Sequence, residues 1–122
     1  MATVKSYTDL EQSRKLAEIL PIESADMSYY TWKDDGHLMS PVPFVLDGTE
    51  VKEDGMFEYI PCWSLASLLK TLNFPSLTQN KEDEWEVCVF DHDNDDYIKK
   101  TASNPVDACY EMILYLKDKN LL

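Results

Sequence analysis

Every glycine in this chain follows an aspartate: Asp35-Gly36, Asp47-Gly48 and Asp54-Gly55. Tight hairpin turns need positive φ, which glycine adopts without steric cost and aspartate tolerates. Three such pairs within twenty-one residues mark reversals between antiparallel strands and leave no glycine for phosphate loops or flexible linkers. The centre of the chain therefore reads as a meander. Tyr29–Trp32, His37–Met39, Phe44–Leu46, Thr49–Val51 and Met56–Ile60 supply its extended segments. Pro41 and Pro43 each remove a ladder donor, which places the stretch they occupy at a sheet edge or a bulge.

Helical periodicity brackets this ribbon. Leu10, Leu16, Ala17 and Leu20 share one face of a helix expected over 9–20, with Thr8 and Glu11 at capping-box spacing and Pro21 as its stop. Leu65, Leu68, Leu69 and Leu72 form an i, i+3, i+4, i+7 stripe, with Ser64 as the expected cap and Asn73-Phe74-Pro75 as the end. Residues 76–83 read as a polar connector. Trp85–Phe90 and Tyr97–Thr101 then read as a hairpin. The last helix has the clearest start: Asn104 at the N-cap, Pro105 at the first helical position and Asp107 facing the positive end of the dipole. Val106, Cys109, Ile113 and Leu116 line its core face. Tyr110, Met112 and Leu114 widen the apolar arc beyond what one sheet face needs.

The pattern predicts an α+β fold: a meander and a hairpin in one antiparallel sheet, with about three helices packed on one face. At 122 residues, one domain spanning 1–122 is expected. Three tryptophans, seven tyrosines and four phenylalanines supply bulk for a core, so disorder is excluded despite the charge.

That charge is −12 and is spread along the chain, at −3 over residues 1–40, −4 over 41–83 and −5 over 84–122. It argues against direct binding to nucleic acid or to anionic lipid. Cys62, Cys88 and Cys109 are odd in number and sit in apolar stretches, as for buried thiols in a reducing compartment. The opening residues lack the apolar core of a signal peptide, and no segment approaches a membrane span. A cytoplasmic protein is expected.

Several residues carry candidate chemistry. Cys62 in Pro61-Cys62-Trp63-Ser64 precedes a helix, where amide dipoles favour thiolate, and Cys-Trp entering a helix is similar to cysteine peptidases of the papain type. His37 and His92 are the only available bases, with Asp35, Asp91 or Asp93 as orienters. A structural thiol is the competing reading, because the length and glycines of that family are absent. Asp91, Asp93 and Asp95 alternate like the opening of a calcium loop. The EF-hand pattern, however, needs glycine and glutamate where this chain has Asp96 and Ala102. A solvated hairpin loop is the plainer account. Glu82–Asp96 holds eight acids and no lysine or arginine. Such a run suggests a mimic of the phosphate backbone, although Cys88 and Phe90 continue the strand face of Glu84 and Glu86 as apolar. Tyr29, Tyr30 and Trp32 with Trp63 suggest an aromatic binding surface, against the ordinary alternative of core. Phosphate-loop, CxxC, HExxH and Gly-x-Ser-x-Gly motifs are absent, and no cofactor is expected.

Three stretches, Asp9–Met27, Ile60–Leu69 and Asn104–Leu114, resemble a group of short proteins from anaerobic gut bacteria and their phages or integrated elements. The resemblance implies a mobile-element setting and carries no activity and no functional residues. The sequence is thus read as a small acidic accessory or interaction protein and not an enzyme. A homodimer is anticipated through the arc of Tyr110 and Leu114, and a further protein contact at Trp63. The alternatives are an acidic inhibitor of a nucleic-acid-binding protein and a cysteine hydrolase acting through Cys62.

Overall fold

The computed structural model describes residues 5–48 and 54–122. Those residues form an α+β fold with three α-helices, in line with the expected three, but their strands form two three-stranded antiparallel sheets and not one. The chain divides into two compact units, Thr8–Ser64 and the remainder, which joins the start of the chain through Tyr7 to Leu65–Leu122. Among the described residues no helix is long and apolar enough to cross a membrane.

In the Thr8–Ser64 unit, helix α1 (Leu10–Ala17) precedes strands β1 (Met27–Trp32), β2 (Phe44–Val45) and β3 (Phe57–Cys62). The capping box lies one residue later than the Thr8–Glu11 spacing suggested. Asp9 accepts from the Gln12 amide, and the Gln12 side chain accepts from the Asp9 amide. Thr8 is thereby free to turn inward, where it is fully buried. Its hydroxyl accepts the Trp63 N–H at 3.2 Å, shares a 2.8 Å hydrogen bond with Ser13, and lies 3.5 Å from Cys62 Sγ. Its N–H donates to the Trp63 carbonyl at 2.9 Å, and its own carbonyl accepts the Tyr29 hydroxyl at 2.9 Å.

The strand order is β2-β1-β3, so β1 is central. The Asp35-Gly36 turn reverses the chain as its sequence predicts: Gly36 takes φ +75°, the Gly36 N–H donates to the Trp32 carbonyl at 2.8 Å, and the Trp32 N–H to the His37 carbonyl at 2.9 Å. The segment after it returns beside β1, first as a bridge from Leu38 to Thr31 and then as β2. Asp47-Gly48 and Asp54-Gly55 do not join neighbouring strands, because β2 and β3 lie on opposite sides of β1. Gly48 is left-handed at φ +91°. At Asp54 the carboxylate itself makes the turn, accepting the N–H groups of Met56 and Phe57 at 2.7 and 3.0 Å. The expected strand Thr49–Val51 lies outside the described residues. β2 is a two-residue edge strand, in keeping with Pro41 and Pro43 just before it.

The second unit contains helix α2 (Leu65–Lys70), strands β4 (Ser76–Gln79), β5 (Trp85–Asp91) and β6 (Asp96–Ala102), and helix α3 (Pro105–Asp118), with strand order β4-β5-β6. β4 lies within the stretch read as a connector. Its side chains are mostly exposed and polar, so only its pairing with β5 makes it a strand. α3 starts as predicted, with the Asn104 side chain accepting the Asp107 N–H at 2.8 Å and Pro105 in the first turn. α3 packs on β5 and β6, and α2 packs on α3. Val87, Val89, Leu68, Val106, Cys109, Met112 and Ile113 are all buried at this unit's core.

The buried Thr8 hydroxyl yields a stability prediction. Thr8→Val keeps the shape but strands the Trp63 amide and the Ser13 hydroxyl. It should therefore destabilise by about 1–3 kcal/mol. Thr8→Ser keeps the oxygen and loses one methyl group, costing about 0.8 kcal/mol. Urea denaturation midpoints check the order; equal losses would show that the hydroxyl contributes nothing.

Candidate functional site

The Cys62 thiol is fully buried at the end of β3 and donates to the Thr8 carbonyl at 3.4 Å. Burial pushes its pKa up, and hydrogen bonds from Thr8 and Ser13 offset this only in part. A nucleophile requires the opposite shift. Register also separates it from a base. Cys62 pairs with Met27 at one end of β1, whereas His37 follows Trp32 at the other end. Five strand steps span about 17 Å. The burial, hydrogen bonds and raised pKa of Cys62 are the surroundings of a structural thiol and provide none of the activation that the hydrolase reading needs. Cys109 is also buried, and desolvation alone raises its thiol to about 12.

His37 is bound instead to its own turn. Its Nδ1 lies 2.7 Å from Asp35 Oδ2, with the imidazole 80% exposed, while Asp35 Oδ1 accepts the His37 N–H at 3.0 Å. The carboxylate raises the imidazole above its usual 6.5, and hydrogen bonds from His37 lower Asp35 below its usual 3.8.

The acidic loop is likewise occupied with its own geometry. Asp91 Oδ1 accepts the N–H groups of Asp93 and Asn94 at 3.0 and 3.4 Å, and Oδ2 accepts the Asn94 side-chain amide at 2.7 Å. The hydrogen bond from Asn94 is the main cause of the lowered pKa of Asp91. Asp95 takes φ +51° to close the turn between β5 and β6. Asp91, Asp93 and Asp95 therefore shape a hairpin, and among the described residues no group of three or more His, Cys, Asp or Glu is placed to hold a metal ion. The imidazole of His92 packs edge-to-face on Phe90 at 4.8 Å. Asp91, His92 and Asp93 also border a cavity of about 470 Å³ whose apolar lining includes Val89, Ile98 and Leu116.

The acids of Glu82–Asp96 do not form a row. Glu82, Asp83 and Glu84 lie in the β4–β5 turn, organised by the Asn80 side chain, and Asp91–Asp96 lie around the turn at the far end of β5. Between them Glu86 meets Lys99 at 3.9 Å, so a cation interrupts the series.

The aromatic residues give the most informative geometry. Strand alternation splits the four that the sequence grouped together. Tyr29 points to the α1 side, where it is buried with Ile60 and Thr31. Trp63 is fully buried and its indole N–H donates to Ser24 at 2.9 Å, so its ring offers no face to a partner. Tyr30 and Trp32 point the other way, and on that face three further rings join them. Tyr30 pairs in register with Tyr59 and Trp32 with Phe57, while Phe44 comes from β2. The Tyr30 ring meets Phe57, Phe44 and Tyr59 edge-to-face at 5.2, 5.6 and 5.9 Å. Phe44 remains 47% exposed and Trp32 36%, and the bordering Val42 and Met56 are exposed as well. Beside Trp32 and Tyr59 a hollow of about 510 Å³ is lined by Arg14, Lys33 and Glu58, with Arg14 and Glu58 paired at 3.6 Å. The strand pattern could have located this face: Phe57 and Tyr59 alternate in one ribbon as Tyr30 and Trp32 do in another, and antiparallel pairing brings such sets together.

On α3, Tyr110 and Leu114 are half-buried, and Met112 is fully buried within the fold. Much of the wide arc is thus consumed internally.

No family model matches the chain, and comparison with curated proteins and with solved structures likewise gives no match.

Two measurements follow. Iodoacetamide at neutral pH should modify Cys62 and Cys109 more slowly than an exposed model thiol, read by mass spectrometry of intact protein; labelling of Cys62 at or above the model rate would restore the nucleophile. The His37–Asp35 pair has a defined pH window. The raised His37 contributes stability that is full below 6.5 and lost as pH rises through its folded value. The lowered Asp35 contributes above 3.8 and loses its contribution as pH falls through its folded value. NMR titration should show the His37 midpoint above 6.5 and its return toward 6.5 in Asp35→Asn.

Proposed function

We propose that this chain is a small acidic protein-interaction module, an accessory protein that works by binding and not by catalysis, with the outer aromatic face of β1–β3 as its docking surface. One observation carries this reading: five aromatic side chains gather on the sheet face opposite α1, and two of them are more than one-third exposed. Exposed aromatic clusters of this kind mark contact surfaces, because rigid rings gain from desolvation at little entropic cost. The fates of Cys62, His37 and His92 support binding over catalysis. The resemblance to proteins of phages and integrated elements, together with three free thiols, supports an accessory role in a reducing, cytoplasmic setting.

The test uses a tagged chain recovered from its native host. Wild type should co-purify with a protein that Phe44→Asp no longer retains, while the far-UV circular dichroism of the two remains the same. Identical partner sets for both would remove this face from the function.

A further inference from the structure

We infer that the occupant of the aromatic face is a basic protein segment, one in which arginine or lysine alternates with apolar side chains. This rests on the reading above and adds the chemistry of the partner. The sequence between 8 and 64 contains twelve acidic and four basic residues, so this unit holds −8 of the total −12. The acids crowd one end of the face. Asp34 and Asp35 follow Trp32 after the single lysine Lys33, and Asp54 stands three residues before Phe57, the residue paired with Trp32. Of the cations in this unit, Arg14 lies on α1 and is opposed by Glu58, and Lys33 next to Trp32 is outnumbered by Asp34, Asp35 and Asp54.

Each class of partner meets this combination differently. Aromatic sheet faces also stack nucleobases, but such sites run a cationic groove along the phosphates. Here the surrounding charge repels a polyanion, and it repels an anionic lipid surface and a second copy of the chain for the same reason. A neutral apolar segment would cover the rings but bring no positive charge to the rim, where Asp35 holds His37 and Asp54 holds the N–H groups of Met56 and Phe57 and both keep their negative charge. A basic segment satisfies both. Guanidinium or ammonium groups lie over ring faces as cation–π partners, the carboxylates neutralise them, and the apolar side chains cover Phe44 and Val42.

Fluorescence anisotropy with three labelled peptides tests this on the full chain: alternating arginine and leucine, the same peptide with citrulline for arginine, and the same with glutamate. The arginine peptide should bind, and raising salt from about 50 to about 300 mM should weaken it several-fold, since screening lengths shorten over that range. Citrulline should weaken binding about tenfold, and the glutamate peptide should not bind. Phe44→Ala with Trp32→Ala should weaken the arginine peptide about fivefold, and Asp34→Asn with Asp35→Asn by a similar factor. The peptide series and the salt series need only the wild-type chain, so they remain decisive if a variant misfolds. Equal binding of the citrulline peptide, lost in the aromatic variant, would overturn the basic occupant and leave the docking face standing. Arginine-peptide binding unchanged by the aromatic variant would mean attraction to net charge alone and would sink both. No binding by the arginine peptide overturns the inference, whatever the host partner proves to be.

Discussion

The Thr8–Ser64 unit depends on one buried exchange between Thr8 and Trp63. Two hydrogen bonds run between these residues, one from the Thr8 amide to the Trp63 carbonyl and one from the Trp63 amide to the Thr8 hydroxyl. They fasten the chain just ahead of α1 to the chain just after β3. The Thr8 carbonyl accepts the Tyr29 hydroxyl as well, so β1 is held at the same point. Around it Ser24 receives the Trp63 indole, and Asp26 receives both the amide and the hydroxyl of Ser64. Polar groups buried this deeply are costly unless every partner is present. Among the described residues no buried side-chain nitrogen or oxygen lacks one. The network therefore fixes which side of the β1–β3 ribbon faces α1.

Once that side is fixed, alternation decides the rest. With Tyr29, Thr31 and Ile60 turned toward α1, Tyr30, Trp32, Phe57 and Tyr59 must turn away. The same ribbon thus makes a core on one face and an aromatic surface on the other. A polar anchor at one end of the sheet is in this sense the cause of the exposed rings, and the thiol of Cys62 sits inside that anchor and not at a reactive edge.

Local signals in the sequence located α1, α3, the Asp35-Gly36 reversal and most strands, because each depends on neighbours a few residues apart: Asn104 with Asp107, Leu65 with Leu68, Trp32 with His37. Pairing between distant segments was less legible. The Asp-Gly pairs mark where the chain bends and say nothing about which strands then meet, so β3 crossing to the far side of β1 was hidden, as was the division into two sheets. β4 escaped because Ser76–Gln79 has no apolar period of its own. Thr-x-x-Glu is a local pattern that points to a cap at Thr8, whereas its actual partners Trp63 and Tyr29 lie 55 and 21 residues away. The grouping of Tyr29, Tyr30, Trp32 and Trp63 failed for the same reason. Neighbours in sequence take opposite faces of a strand, and rings from β2 and β3 complete the surface.

An exposed aromatic sheet face carries a physical risk, since rings and open strand edges invite pairing with further copies of the same chain. Two features of this unit counter it. Of the two strands at the edges of this sheet, β2 is only two residues long and preceded by Pro41 and Pro43, so on that side there is little ladder for another strand to extend. The other is charge: at −8 for residues 8–64, two copies approaching ring to ring must also bring like charges together. Self-repulsion and partner attraction then have a single origin. The carboxylates that keep identical faces apart are the groups that a cationic segment neutralises, and discrimination of this kind needs no pocket shaped for any one side chain.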